Sequence, residues 1–185
     1  MSAADKKIKV ATTSLAGCFG CHMSLLDIDT NLLDLADKIQ LDKSPLTDIK
    51  TFDGSVDVGL IEGGVCNSEN VHLLREFRKN CKILVSVGEC AIMGGLPALR
   101  NDVPLEECLR EAYFDGPTVS NPDKLVPFHE DLPKILDRIY PCHEIVKIDV
   151  FLPGCPPPAQ AFRELLLSVI EGRPFKLSRG ALRYD

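Results

Sequence analysis

Apolar residues along this chain recur in two rhythms, and the rhythms alternate. Residues 8–15 (Ile8-Lys9-Val10-Ala11-Thr12-Thr13-Ser14-Leu15) form a short apolar run of strand length, and Leu25, Ile28, Leu32, Leu35, Ala36 and Ile39 then repeat at the three- and four-residue spacing of a helix. Ser44-Pro45 breaks that helix. Residues 56–61 predict a second strand, closed by Glu62-Gly63-Gly64, and Ser68 is placed to cap a helix carrying Val71, Leu74 and Phe77 on one face. Residues 82–87 predict a third strand, apolar enough to be covered on both faces. After an irregular stretch through Gly94-Gly95, Leu105, Cys108, Leu109 and Ala112 predict a short helix, and residues 115–128, rich in Pro, Asp and Asn, predict a loop. Leu132, Ile135, Leu136 and Ile139 predict another helix and residues 147–152 a fourth strand. A last helix carries Ala159, Phe162, Leu165, Leu166, Val169 and Ile170 before Gly172-Arg173-Pro174 stops it.

Strands alternating with helices predict an α/β fold with a mainly parallel sheet and right-handed crossovers. A length of 185 residues suits a single domain, here residues 1–185, with an extended C-terminal tail from about residue 174. Hydrophobic residues make up 45% and charged residues 26%, ordinary for a globular chain that needs no staples. A net charge of −6 without any Lys/Arg stripe argues against a nucleic-acid partner. The longest apolar runs fall well short of the roughly 20 residues that span a bilayer, so no membrane insertion is expected. The first residues carry no signal-peptide core and no twin arginine, which places the chain in the cytoplasm as an expectation. Eight cysteines in that compartment are expected to be thiols or metal ligands rather than disulfides.

Four of those cysteines share one kind of position. Cys18 and Cys21 follow the first predicted strand within Gly17-Cys18-Phe19-Gly20-Cys21-His22, Cys90 follows the third in Val87-Gly88-Glu89-Cys90, and Cys155 follows the fourth in Pro153-Gly154-Cys155-Pro156-Pro157-Pro158. In parallel sheets, sites form beyond the carboxyl ends of the strands. Side-by-side strands therefore bring the four thiols to one edge, where they read as the ligands of an iron–sulfur cluster, two from one tight turn. Gly17 and Gly20 permit the turn, Gly88 and Gly154 remove bulk before the later cysteines, and a helix starting near His22 would direct amide N–H groups toward an anionic group. Two other readings stay open. A lone Cys-x-x-Cys suits a dithiol redox pair but leaves Cys90 and Cys155 unexplained. Structural zinc accepts four cysteines but usually takes two close pairs, and only one pair is close here.

Further residues are candidates at the same edge. Glu62 and Glu89 are acids beside the expected site, able to carry protons, to tune a cluster, or simply to be hydrogen-bonded. Cys66 follows another strand end and competes as a ligand or stands near one, while Cys81, Cys108 and Cys142 read as structural, Cys108 on an apolar helical face. His22 either donates a hydrogen bond behind the ligands or is exposed, and His72 and His129 read as surface residues. No phosphate-binding glycine loop and no nucleophile triad is present.

The segments Gly17-Cys18-Phe19-Gly20-Cys21-His22-Met23-Ser24-Leu25-Leu26, Ile61-Glu62-Gly63-Gly64, Val87-Gly88-Glu89-Cys90-Ala91 and Pro153-Gly154-Cys155-Pro156-Pro157 resemble, in this order, the small subunit of nickel–iron hydrogenases. The resemblance is strongest to the short subunit of cytoplasmic NAD-reducing (bidirectional) enzymes. It implies a flavodoxin-like three-layer fold and one [4Fe–4S] cluster held by Cys18, Cys21, Cys90 and Cys155. It also implies an obligate hetero-oligomer, in which a large subunit holds a Ni–Fe centre and a diaphorase module carries FMN and the NAD site. Only 30 residues follow Cys155 and none is cysteine, so the two further clusters of respiratory relatives are not expected. The 20 kDa subunit family of NADH:quinone oxidoreductases is a close cousin and supplies an alternative, a quinone-linked relay. That family shows two adjacent cysteines where this sequence separates Cys18 from Cys21. The flavodoxin-like fold also invites an FMN on this chain itself, although no flavin-specific polar loop is visible.

Overall fold

The computed structural model describes residues 7–182. In chain order the strands are β1 (Ile8–Ser14), β2 (Ile39–Leu41), β3 (Val56–Glu62), β4 (Val65–Asn67), β5 (Cys81–Val87), β6 (Ile135–Tyr140) and β7 (Val150–Leu152). The helices are α1 (Gly20–Leu26), α2 (Asn31–Ala36), α3 (Ser68–Asn80), α4 (Gly88–Met93), α5 (Leu105–Arg110) and α6 (Ala159–Ile170). Five strands form a wholly parallel sheet in the order β2-β1-β3-β5-β7. Numbered among themselves these are 2-1-3-4-5, the flavodoxin-like order, in which the sheet reverses direction of growth beside β1.

Both faces of the sheet are covered, which is why its central strands read as continuous apolar runs. Adjacent residues divide between the faces. Val10, Leu60 and Val85 pack with Leu25, Leu35, Phe162 and Leu165 from α1, α2 and α6. Ala11, Ile61 and Leu84 pack with Leu74 and Phe77 of α3 and Ala91 of α4. The expected α/β three-layer architecture is therefore present.

The register sets where the strands stop. Ser14 pairs with Glu62, Glu62 with Val87, and Val87 with Leu152, so β1, β3, β5 and β7 end in one row. Every chain segment that leaves the sheet at this edge starts from the same level.

Four expectations fail for identifiable reasons. The helix expected over residues 25–39 is two short helices, because Asp29 takes a left-handed conformation (φ 57°) and Ile39 belongs to β2, paired in parallel with Ile8 of β1. The helix expected over residues 132–139 is strand β6, antiparallel to β4. Its four apolar residues suit either period, and distant partners decide: the Asn101 amide bonds both the N–H and the C=O of Ile139, and Ser68 bonds the N–H of Lys134 through Oγ and its C=O through N–H. That engagement also removes Ser68 from the cap of α3, which Asn67 fills by accepting the N–H of Asn70 at 2.8 Å. Cys108 does not lie on a buried face, since α5 buries none of its residues. The stretch after α6 lies along that helix: Phe175 and Leu177 pack on the core and Ser178 donates to Glu164 from both N and Oγ.

The predicted strand over residues 147–152 is shortened to three residues because Asp149 spends its side chain on the sheet edge. Its carboxylate accepts from Arg78 and, at 2.9 Å, from the N–H of Leu84, while its own N–H donates to Leu84 O. Burial raises this carboxyl's pKa, but the Arg78 guanidinium and the Leu84 N–H outweigh it and hold the group below the ordinary carboxylate range. A depressed folded-state pKa contributes stability above the unfolded value of about 3.9 and loses it as pH falls through the folded value. Asp149→Asn is therefore expected to lower stability by about 1 kcal/mol at neutral pH. Its denaturation midpoint should converge on that of the parent as the pH is taken below about 4, which paired urea titrations will show.

Candidate metal centre

The loops beyond the row of strand ends are built to turn inward. After β1, Leu15 N donates to Glu62 O at 2.8 Å, and Ala16 and Gly64 exchange two backbone hydrogen bonds at 2.8 and 2.9 Å. These carry the chain across the end of β3. Phe19 then adopts a left-handed conformation (φ 67°) at the cap of α1, and the N–H of Gly20 points to Cys18 Sγ at 3.4 Å. Cys18 is exposed and Cys21 half-buried.

After β5 the chain enters α4 through Gly88, at φ 78°. A β-carbon there would stand 2.4 Å from Cys21 Sγ, so glycine is required twice over, by backbone angle and by space. One at Gly95 (φ 51°) would come within 3.0 Å of Cys90 Sγ. After β7, Gly154 takes φ 134° and precedes Cys155, whose bond to Pro156 is cis. Glu89 clasps this loop to the previous one. Its N–H donates to Gly154 O at 3.0 Å, and its carboxylate accepts the Gly154 N–H at 3.0 Å. Ser24 Oγ of α1 closes the ring by donating to Pro157 O at 2.5 Å.

These loops enclose a cavity of about 70 Å³ lined by Cys18, Cys21, Cys90 and Cys155, with Glu62 and Glu89 in its wall. The thiols sense one another. Burial raises the pKa of Cys21 far above its ordinary range, with Glu62 and then Cys90 and Cys18 adding their charge. Burial also raises Cys90, followed by Cys155. Buried thiols such as Cys21 and Cys90 become good ligands when a cation supplies the missing charge, releasing their protons as it binds. Among the described residues, no three His, Cys, Asp or Glu side chains close on a point that one ion could fill. The four cysteines stand around a space, and Gly17, Gly20, Gly63 and Gly154 line it beside them. The donor set, four thiols around one cavity, fits a thiolate-bound metal group.

The other candidates separate. Cys66 does not line the cavity; its thiol donates to Asn70 Oδ1 at 3.2 Å on the α3 side. Cys81 and Cys142 are buried in the second apolar cluster, where burial pushes each thiol up to about 12. His72 and His129 are exposed. His22 is buried: its Nδ1 lies 3.2 Å from Glu62 Oε1, its Nε2 2.9 Å from Thr12 Oγ1, and Phe19 stacks on its ring at 4.4 Å. Ser14 Oγ adds a 2.7 Å bond to the same carboxylate. Sequence reasoning missed Thr12 and Ser14 in this arrangement, and Ser44 behind them, whose Oγ lies 2.7 Å from Thr12 Oγ1. The available signal was three hydroxyl residues in succession, Thr12-Thr13-Ser14, closing an otherwise apolar strand.

A 2-1-3-4-5 parallel sheet with four cysteines gathered at its carboxyl edge defines an α/β protein of flavodoxin-like build with a thiol-lined site. Residues 18–169 match the NADH ubiquinone oxidoreductase 20 kDa subunit family, and the chain belongs to it. It is 50% identical over 182 residues to the NAD-reducing hydrogenase HoxS subunit delta of Cupriavidus necator, covering 98% of this chain and 87% of that one. It is 36% identical to a subunit of the F420-non-reducing hydrogenase of Methanothermobacter marburgensis, covering 93% of this chain but only 56% of the archaeal one. The solved structure of an NAD+-reducing [NiFe]-hydrogenase in the H2-reduced state contains a chain 50% identical, superposing with a TM-score of 0.92 over 97% of this chain and 100% of that chain.

Gly88→Ala tests the packing of this edge directly. Its added methyl meets Cys21 Sγ and its backbone must hold a positive φ, so a loss of at least about 1 kcal/mol in unfolding free energy is expected. Faster alkylation of Cys21 than in the parent chain should accompany it.

Proposed function

We propose that this chain is the electron-relay small subunit of an NAD-reducing [NiFe] hydrogenase, holding one [4Fe–4S] cluster through Cys18, Cys21, Cys90 and Cys155. The observation that carries the proposal is the convergence of four thiols, from three separate strand ends, on one glycine-lined cavity. The 50% identity to a hydrogenase subunit over nearly the whole chain supports the choice of enzyme. Bound there, such a cluster supplies reversible one-electron transfer at a potential set by burial, hydrogen bonds to sulfur and nearby charge.

The chain's own residues do the holding. Cys18 and Cys21 present two sulfurs from one turn, the Glu89 clasp sets the distance between the Cys90 and Cys155 loops, and the apolar core behind β5 keeps water from the inner side. No residue of this chain performs the hydrogen chemistry. A large subunit with the Ni–Fe centre and a diaphorase module with FMN and the NAD site are the partners of this reading. The assembly acts on H2 as an obligate hetero-oligomer in the cytoplasm. Among the described residues no helix is long and apolar enough to cross a membrane. The family's description favours one second reading, a relay to quinone in place of hydrogenase. Copurification with a quinone-reducing arm and the absence of nickel would select it.

Cys90→Ser in the purified assembly is the direct test. Loss of roughly four irons with their labile sulfide per chain and loss of H2-dependent NAD+ reduction, with hydrogen–deuterium exchange at the large subunit retained, is the expected result. Full iron content and full coupled turnover in that variant would sink the ligand assignment.

A further inference from the structure

Behind the cavity a row of polar groups crosses the buried face of β1. Thr12, His22, Ser44 and Glu62 are each at most 4% exposed, beside the apolar cluster that holds Val10, Leu25, Leu60 and Phe162. The N–H of Leu46 donates to Ser44 Oγ at 3.1 Å, Ser44 Oγ lies 2.7 Å from Thr12 Oγ1, and Thr12 Oγ1 lies 2.9 Å from His22 Nε2. His22 Nδ1 lies 3.2 Å from Glu62 Oε1, which also accepts from Ser14 Oγ at 2.7 Å, while Glu62 Oε2 accepts the N–H of His22 at 3.0 Å.

One assignment of hydrogens gives every member of this row a partner. Ser44 donates to Thr12, Thr12 to His22 Nε2, and His22 Nδ1–H to Glu62. All donors then run toward the cavity and end on an acceptor that has none left to give. A carboxylate at that end satisfies the row; a protonated acid would have to donate to His22 Nδ1 and reverse it, and Ser44 Oγ, which already accepts from Leu46 N–H, would then accept from Thr12 as well and leave its own hydrogen without an acceptor among the described residues. We propose that Glu62 is a charge-bearing wall of the cavity, locked beside Cys21 by Ser14, His22, Thr12 and Ser44, and that this fixed anion holds down the reduction potential of the group bound there.

The inference rests on the cluster reading above and extends it to the residue that tunes the site. The direction follows from charge. One electron taken from hydrogen oxidation adds a negative charge to the group in the cavity, and the same electron leaves to the next carrier. No bond of the protein forms or breaks, and no proton is exchanged with Glu62. A neighbouring anion penalises the reduced state, and the low-polarity setting of the row screens that penalty poorly. His22, Thr12 and Ser44 are positioning residues: they act only through where they hold Glu62.

The test is a potentiometric titration, followed by EPR, of the purified assembly carrying Glu62→Gln, Thr12→Val or Thr12→Ser, with iron and labile sulfide measured in each. Glu62→Gln should raise the reduced-to-oxidised ratio at the parent midpoint about tenfold, a positive shift of about 59 mV for one electron. Thr12→Val, which touches no ligand, should move the ratio the same way by roughly threefold, and Thr12→Ser, which keeps the hydroxyl, should restore the parent value. A parent assembly without iron and sulfide overturns the cluster reading and this inference together. Loaded variants that all share the parent midpoint overturn the role of Glu62 and leave the cluster standing. If Glu62→Gln fails to load, the Thr12→Val and Thr12→Ser pair decides: a shift rescued by serine supports the locked anion, and no shift refutes it.

Discussion

Parallel register is the constraint on which everything else in this molecule depends. Ser14, Glu62, Val87 and Leu152 sit in one hydrogen-bonded row across four strands, and the cysteines follow that row by three to seven residues. A slip of one residue in any pairing would turn that strand's side chains to the other face and displace its loop by about 3.3 Å along the strand. The cavity would then lose a wall. Coverage of both faces enforces the register, because Leu60 and Ile61, or Leu84 and Val85, each have a filled layer waiting on their own side.

The edge itself trades regular structure for shape. Positive φ angles at Phe19, Gly88, Gly95 and Gly154 turn three loops toward a common space, and Cβ atoms at Gly88 and Gly95 would collide with Cys21 and Cys90. Such turns leave backbone groups to be satisfied locally. Glu89 answers two of them on Gly154, and Ser24 answers a third on Pro157. The two acids of the cavity thus divide: Glu89 is a clasp between loops, whereas Glu62 terminates a buried polar row that reaches back under β1.

Much of the fold and most of the site were legible in the sequence. The three central strands β1, β3 and β5 showed as apolar runs because a doubly covered strand has little polar face to reveal, and the cysteines showed because each stands a few residues beyond an apolar run. Glu62 and Glu89 showed as acids beside glycines. Illegible were the elements that depend on distant partners. Residues 135–140 carry a pattern compatible with a helix, and only Asn101, Ser68 and the three residues of β4 make them a strand. The burial of His22 was hidden for the same reason: its partners Thr12 and Glu62 lie 10 and 40 residues away in sequence.

By itself, then, the chain's sequence determined the alternation of strands and helices, the turn that presents Cys18 and Cys21, and the placement of every thiol ligand candidate after an apolar run. These are local matters of period, backbone freedom and spacing. The tertiary structure alone decided that the runs end level with one another, that Cys66 is left outside, and that a serine, two hydroxyl-bearing neighbours and a histidine hold one carboxylate in place. Those outcomes turn on pairing register and on buried hydrogen bonds between segments far apart in the chain, and no local pattern records which donors will meet which acceptor once water is gone.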